Sequence, residues 1–215
     1  MKISAAIFDL DGTLLDTICD IGDSLNCILR KYGFKERSYE EYVTFVCNGS
    51  RTLVERASEC SDISVIDKIL EEYKEFYSKN YSVKTIPYDN IAEVLGILSE
   101  KGVKLGVYSN KPDNIVKSLV DKFFPGIFIS VRGQTDDVPV KPSPVGAFIV
   151  ADELNVSYDS CAFIGDSIED RQTALNAGML PISVSWGYRS KDFLLEHGAE
   201  ICIDSPMQLP DLLLK

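Results

Sequence analysis

The sequence predicts an α/β protein, a parallel sheet covered by helices and interrupted near its start by an all-helical insertion. Three observations carry this. Short apolar runs alternate with stretches of helical spacing, several of those runs are apolar on both faces, and one long interval keeps a helical period throughout. Strands of a parallel sheet are covered on both sides, which is why their sequences lose the in-out alternation of a half-exposed strand.

The elements follow in order. Residues 4–8 read as the first strand, and the interval 16–87 then holds no convincing buried strand, so it is assigned to helices. Further strands are expected at 103–108, 127–131, 161–164, 181–185 and 201–203. Helical stretches lie at 91–101, 114–122, 144–154, 168–177 and 191–197. His197, the one histidine, precedes Gly198 near a helix end, where capping is its expected role. The chain thus divides into a core of residues 1–15 and 88–215 and a small helical domain of residues 16–87.

Composition narrows the functional classes. Hydrophobic residues make up 45% and charged residues 26%, as in globular domains, and no apolar run reaches the roughly 20 residues needed to cross a bilayer. Six cysteines show neither paired metal-ligand spacing nor the density of a disulfide scaffold, so reduced thiols and a cytoplasmic location are expected. A single imidazole leaves no material for a histidine zinc site or a Ser-His-Asp triad. The net charge of −11 disfavours nucleic acid and anionic membranes as partners, and an anionic ligand would need a locally positive pocket.

Ligands of open α/β sheets bind beyond the carboxyl ends of the strands, and those positions are polar here. Asp9-Leu10-Asp11-Gly12-Thr13 ends the first strand. Asp9 and Asp11 point the same way along an extended chain, so one can attack phosphorus while the other handles a proton, and Gly12 lets backbone approach an anion. Two such acids by themselves also make a surface turn. Ser109-Asn110-Lys111 follows the second core strand with a hydroxyl and an amide suited to phosphate oxygens, although Ser-Asn is also turn chemistry. Lys141 stands in Val140-Lys141-Pro142-Ser143-Pro144, a stiffened loop that holds an ammonium, the bland alternative being a solvated lysine. Gly165-Asp166-Ser167-Ile168-Glu169-Asp170 is a carboxylate-rich turn into a helix. Asp166 is the better ligand for a hard cation, Asp170 is placed to orient Asp166 or Lys141, and Glu169 favours the helix N-terminus.

Taken together, these four motifs resemble the haloacid dehalogenase superfamily, whose ordered signature is Asp-x-Asp, a Ser or Thr, a Lys, and an acidic Gly-Asp-x-x-x-Asp. The resemblance implies a Rossmann-like three-layer core and an aspartyl-phosphate intermediate. It makes Asp9 the nucleophile and Asp11 the acid/base, with Asp9, Asp166 and the Asp11 carbonyl holding Mg²⁺. Ser109 and Lys141 would bind the phosphoryl group, assisted by backbone near Gly12 and by Asn110. A cation is also a physical requirement, because a carboxylate must approach an anionic phosphate.

The helical insertion resembles the small cap of such phosphatases, a lid that excludes water and selects substrates. Within it Asn48-Gly49-Ser50-Arg51 is the expected substrate-facing loop, with Arg51 as an anion contact or an ordinary solvated arginine. Asp16-Thr17 with Asp20, the run Gln172 to Met179, and Trp186-Gly187-Tyr188 resemble the phosphoglycolate phosphatase branch. Ser50-Arg51 also resembles the sugar-phosphate mutases, whose cap histidine is missing near Ile21. The expectation is therefore hydrolysis of a small phosphorylated metabolite by a monomer or weak homo-oligomer, with a mutase, a pyrophosphatase or a non-catalytic receiver-like module as alternatives. Two departures stand out: Asn90 where relatives often carry glycine, and Val145 where they often carry an acid. Asn tolerates left-handed backbone angles, so Asn90 can keep the turn.

Overall fold

The chain enters through β1 (Ala5–Phe8), whose four residues are all buried. A short strand, β2 (Leu15–Asp16), leads into four helices, α1 (Ile18–Lys31), α2 (Tyr39–Phe45), α3 (Gly49–Ser58) and α4 (Ile63–Asn80), and β3 (Ile86–Pro87) closes the interval by pairing with β2. After it come α5 (Ile91–Glu100), β4 (Lys104–Pro112), α6 (Asp113–Phe123), β5 (Ser130–Gln134), α7 (Val145–Leu154), β6 (Cys161–Gly165), α8 (Ile168–Ala177), β7 (Leu180–Val184), α9 (Lys191–Glu196), β8 (Cys202–Ile203) and α10 (Leu209–Leu213). This computed structural model describes residues 3–214, which separate into two units, Asp16–Ile86 and the segments on either side of it.

In the unit outside Asp16–Ile86, six strands form a sheet in the order β5-β4-β1-β6-β7-β8, every pairing parallel. The fold is α/β and Rossmann-like, as the alternation of apolar runs and helices requires. β1 is flanked on both sides, by β4 and β6, so its carboxyl end lies between the ends of two neighbours. Strand alternation sends Ala5 and Ile7 to one face, where Tyr108, Phe163 and the helix residues Val150 and Ala174 pack with them. Phe8 turns the other way and meets Phe128 edge-on, ring centroids 6.3 Å apart.

One strand lies elsewhere than its apolar residues indicate. Residues 127–131 read as strand, whereas β5 runs from Ser130 to Gln134. Phe128 is there to pack on Phe8 and Phe124, and Ile129 is largely exposed, so apolarity marks packing rather than ladder pairing. The polar residues of β5 are tolerated because it is an edge strand of the sheet. β4 likewise runs past the expected Tyr108 to Pro112, its pairing with β5 shifting register between Tyr108 and Pro112.

The Asp16–Ile86 unit holds the four helices, and each starts or packs for a local reason. α1 buries Ile18, Ile21, Leu25, Ile28 and Leu29, one helical face. Ser38 and Glu41 form a reciprocal capping box at the start of α2, and Asp62 accepts the Ser64 and Val65 amides at the start of α4. A Cβ on Gly22 would come within 2.8 Å of Tyr42, so the glycine lets α1 and α2 approach. Buried Asp20 accepts the Thr85 amide (2.8 Å), the Thr85 hydroxyl (2.7 Å) and the Lys84 amide (2.9 Å), tying α1 to the last residues of the unit.

Two smaller expectations concern caps. Asn90 takes a left-handed φ of 63° as the residue before α5, the conformation for which Asn substitutes for glycine. His197 caps α9, its ring Nδ1 2.7 Å from the Phe193 carbonyl. Among the described residues no helix is long and apolar enough to cross a membrane.

Candidate active site

β1, β4 and β6 are adjacent and parallel, so their carboxyl ends lie side by side, with Asp9–Thr13 after β1, Ser109–Lys111 in the last residues of β4, Gly165–Asp170 at the end of β6 and Lys141 in the segment after β5. Asp9 continues β1 by donating its amide to the Ile164 carbonyl of β6 at 2.9 Å. The chain then turns tightly, with the Leu10 carbonyl accepting the amides of Thr13 (3.3 Å), Leu14 (3.0 Å) and Leu15 (3.0 Å).

Gly12 sits in that turn at φ 85°, and a Cβ there would lie 2.4 Å from Asp166 Oδ2. Only glycine permits both the backbone angle and the approach. Asp166, fully buried after β6, accepts the Thr13 hydroxyl on Oδ1 (3.2 Å) and the Tyr188 amide on Oδ2 (2.8 Å). Gly187 presses close as well, since its Cβ would lie 2.1 Å from the Gly12 carbonyl oxygen. Trp186 Nε1 donates to the Thr13 carbonyl at 3.0 Å, so residues 186–188 brace the turn from the far side. Thr13, Gly187 and Tyr188 thus hold Asp166 and its turn in place, roles that only their meeting in space reveals. Gly187→Ala must displace backbone rather than a flexible side chain, and the expected loss of turnover is about 10²-fold. Steady-state kinetics beside a thermal melt would check this, and an unchanged kcat would show that the turn adapts.

Lys141 lies buried between two acids, its Nζ 2.8 Å from Asp9 Oδ1 and 2.5 Å from Asp170 Oδ1. The rings of Tyr108 and Phe163 stand over the same ammonium at 5.9 and 5.8 Å. Burial alone would lower its pKa, but the charges of Asp170 and Asp9 outweigh burial and hold the lysine protonated. The backbone at this position is clamped too. Lys141 donates its amide to Asn110 Oδ1 (2.7 Å), and Asn110 Nδ2 donates to the Lys141 carbonyl (3.3 Å). The Asn110 side chain, expected at the phosphate, is turned onto the Lys141 backbone instead. Val145 is partly exposed and takes no part in holding Lys141.

Asp170 shares a capping box with Ser167 at the start of α8. Its Oδ2 accepts the Ser167 amide (3.1 Å) and hydroxyl (2.5 Å), while Oδ1 takes Lys141. A Cβ on Gly165 would lie 2.3 Å from the Asp170 carboxyl carbon, which explains the glycine of this motif. Ser109 is buried within β4. Arg51 belongs to the Asp16–Ile86 unit, where its guanidinium pairs with Asp67 and Glu55 on the exposed surface.

The carboxylates of Asp9, Asp166 and Asp170 lie within 4.8 Å of one another, all buried. One lysine faces three acids. Burial raises Asp9 to about 7, with Asp170 and Asp11 adding to the rise and Lys141 opposing it. Burial also lifts Asp166 well above the carboxylate range, reinforced by the charges of Asp170 and Asp9. Asp9 Oδ1 is buried, and its close partner is the Lys141 ammonium at 2.8 Å. A small divalent cation fits such a site, since hard oxygen donors with excess negative charge are what it requires. Asp170 is already neutralised by the Lys141 ammonium and tied into the Ser167 cap, whereas Asp166 accepts only neutral donors, so Asp9 and Asp166 are the better candidate ligands.

The match to the family model for haloacid dehalogenase-like hydrolases spans residues 6–184 and contains all four motifs. The chain belongs to this family. Among the haloacid dehalogenase-like hydrolases, the phosphoglycolate phosphatase of Psychrobacter arcticus is 34% identical over 219 residues, 97% of this chain and 95% of that one. A solved structure from Lactobacillus delbrueckii subsp. bulgaricus, described as a candidate phosphoglycolate phosphatase, is 34% identical, covers 99% of each chain and superposes with a TM-score of 0.94. The N-acetylmuramic acid 6-phosphate phosphatase of Pseudomonas aeruginosa is 28% identical over 216 residues, 99% of this chain and 96% of that one. These relatives set the chain on the phosphoglycolate phosphatase-like branch of phosphoric monoester hydrolases.

Proposed function

We propose that the protein hydrolyses a small phosphomonoester, with 2-phosphoglycolate as the first candidate, by transferring the phosphoryl group to Asp9 and then to water. The observation that carries this reading is the position of Asp9. It lies buried just past the end of β1, its Oδ1 2.8 Å from the Lys141 ammonium, which can take up phosphoryl charge.

In the first step an Asp9 carboxylate oxygen attacks phosphorus, the ester P–O bond breaks, and Asp11 delivers its carboxyl proton to the leaving oxygen. In the second, water attacks the aspartyl phosphate, Asp11 takes back a proton, and the P–O bond to Asp9 breaks to release inorganic phosphate. Lys141 and Ser109 hold the phosphoryl oxygens, and Asp170 keeps Lys141 in place. Asp9, Asp166 and the Asp11 backbone carbonyl would hold Mg²⁺, which when bound offsets the repulsion between nucleophile and substrate. Arg51 is the anion-binding candidate of the Asp16–Ile86 unit.

Two relatives named for different substrates make the substrate an experimental question. Phosphate release in Mg²⁺ buffer is measured over 2-phosphoglycolate, sugar phosphates, nucleotides and pyrophosphate, with Asp9→Asn as the blank. A dominant kcat/KM on 2-phosphoglycolate supports the full reading. A different winner keeps the chemistry and replaces the substrate, and release no faster than the blank overturns the reading.

A further inference from the structure

We propose that Lys111 is a positioning residue for the acid/base Asp11, holding its carboxylate where the leaving oxygen departs. The inference rests on the reading that Asp11 exchanges the proton with that oxygen. Lys111 is the eighth residue of β4 and lies two positions beyond Ser109, so it stands at the end of the strand next to β1.

Its ammonium donates to both Asp11 oxygens, at 2.9 Å to Oδ1 and 3.0 Å to Oδ2. The Lys111 side chain retains only 4% of its accessibility and that of Asp11 19%. Such a pair differs from the exposed ion pairs of this chain, because solvent neither screens it nor replaces either partner freely. The Asp11 backbone is already held, by the turn around the Leu10 carbonyl and by a bridge to Leu15. The side chain keeps two rotatable bonds, and Lys111 restrains them through both oxygens.

The two buried lysines of the site therefore divide the work. Lys141 contacts Asp9 and Asp170, the groups around the phosphoryl oxygens, whereas Lys111 contacts Asp11, on the side of the leaving group. Removing Lys111 frees the carboxylate to turn toward water, and a proton donor displaced by an ångström loses most of its advantage.

The test uses the dependence on the leaving group. An alkoxide leaving group needs the proton from Asp11, whereas p-nitrophenolate departs without one. We would measure kcat and KM for Lys111→Met and Lys111→Arg on the best alkyl phosphate of the panel and on p-nitrophenyl phosphate. For Lys111→Met, kcat/KM on the alkyl phosphate, which reports the steps up to phosphoryl transfer and not the hydrolysis that both substrates share, should fall about 10²-fold, the scale of general acid catalysis. On p-nitrophenyl phosphate it should fall less than about fivefold, and Lys111→Arg should restore most of the difference. The ratio of the two rates in one preparation does not depend on how much of it is folded, so a partly unfolded variant still reports. Equal losses of kcat/KM on both substrates, or no loss on either, would overturn the role of Lys111. Turnover retained by Asp9→Asn would instead overturn the mechanism on which the role rests.

Discussion

Asp9→Asn is expected to lose at least about 10⁴-fold in kcat, the scale seen when a catalytic nucleophile is removed from a site otherwise intact. The amide is nearly isosteric, so Lys141, Asp170 and Asp166 keep their surroundings and substrate still binds. What disappears is the oxygen nucleophile. The substitution also removes one of three crowded carboxylates, so the metal-free variant should unfold at no lower temperature than the parent. Loss of turnover with an undiminished melting temperature would mark Asp9 as chemical rather than structural. Turnover within about tenfold of the parent would mean that the phosphoryl group goes elsewhere.

The second large effect is on stability, and its sign follows from the same crowding. Asp9 titrates near 7 in the folded chain, and Asp166 is shifted upward too, both chiefly by burial. Between the ordinary carboxylate value and about 7, the folded state holds protons that the unfolded state releases. Stability therefore falls as pH rises through this window, by on the order of 4 kcal/mol from Asp9 alone. Lys141 is raised rather than lowered, so it stays charged across the window and does not reverse the trend. In chelator, the melting temperature should drop by roughly 10 °C between about pH 5 and pH 8. Millimolar Mg²⁺ at the higher pH should recover much of it, since a ligand that binds only the folded state stabilises by mass action. A melting temperature indifferent to both pH and Mg²⁺ would refute the buried acidic centre as a cation site.

The sequence was most legible where one physical requirement dominated a short stretch. β1, β6 and α8 stand within a residue or so of their expected bounds because buried parallel strands must be apolar and helices must keep their period. Asp9, Asp11, Ser109 and Asp166 were singled out because strand ends in an open sheet are where polar residues have least structural reason to be, and Lys141 and Asp170 by the proline-flanked loop and the acidic turn that carry them. Asn90 was read for its left-handed angle because few residue types accept it.

Other features depended on distance in space. β5 was displaced because Phe128 is apolar for packing and not for pairing. Asn110 looks like a phosphate contact beside Ser109, yet its partner is the backbone of a residue 31 positions away. Lys111 reads as the tail of a turn motif until Asp11 is found against it across 100 residues of chain. The sequence by itself determined the fold class and the chemical groups, because hydrophobic period and residue type are local properties. Tertiary structure alone decided which lysine pairs with which acid and which carboxylates crowd together, because ion pairing and burial depend on neighbours that the order of residues does not reveal.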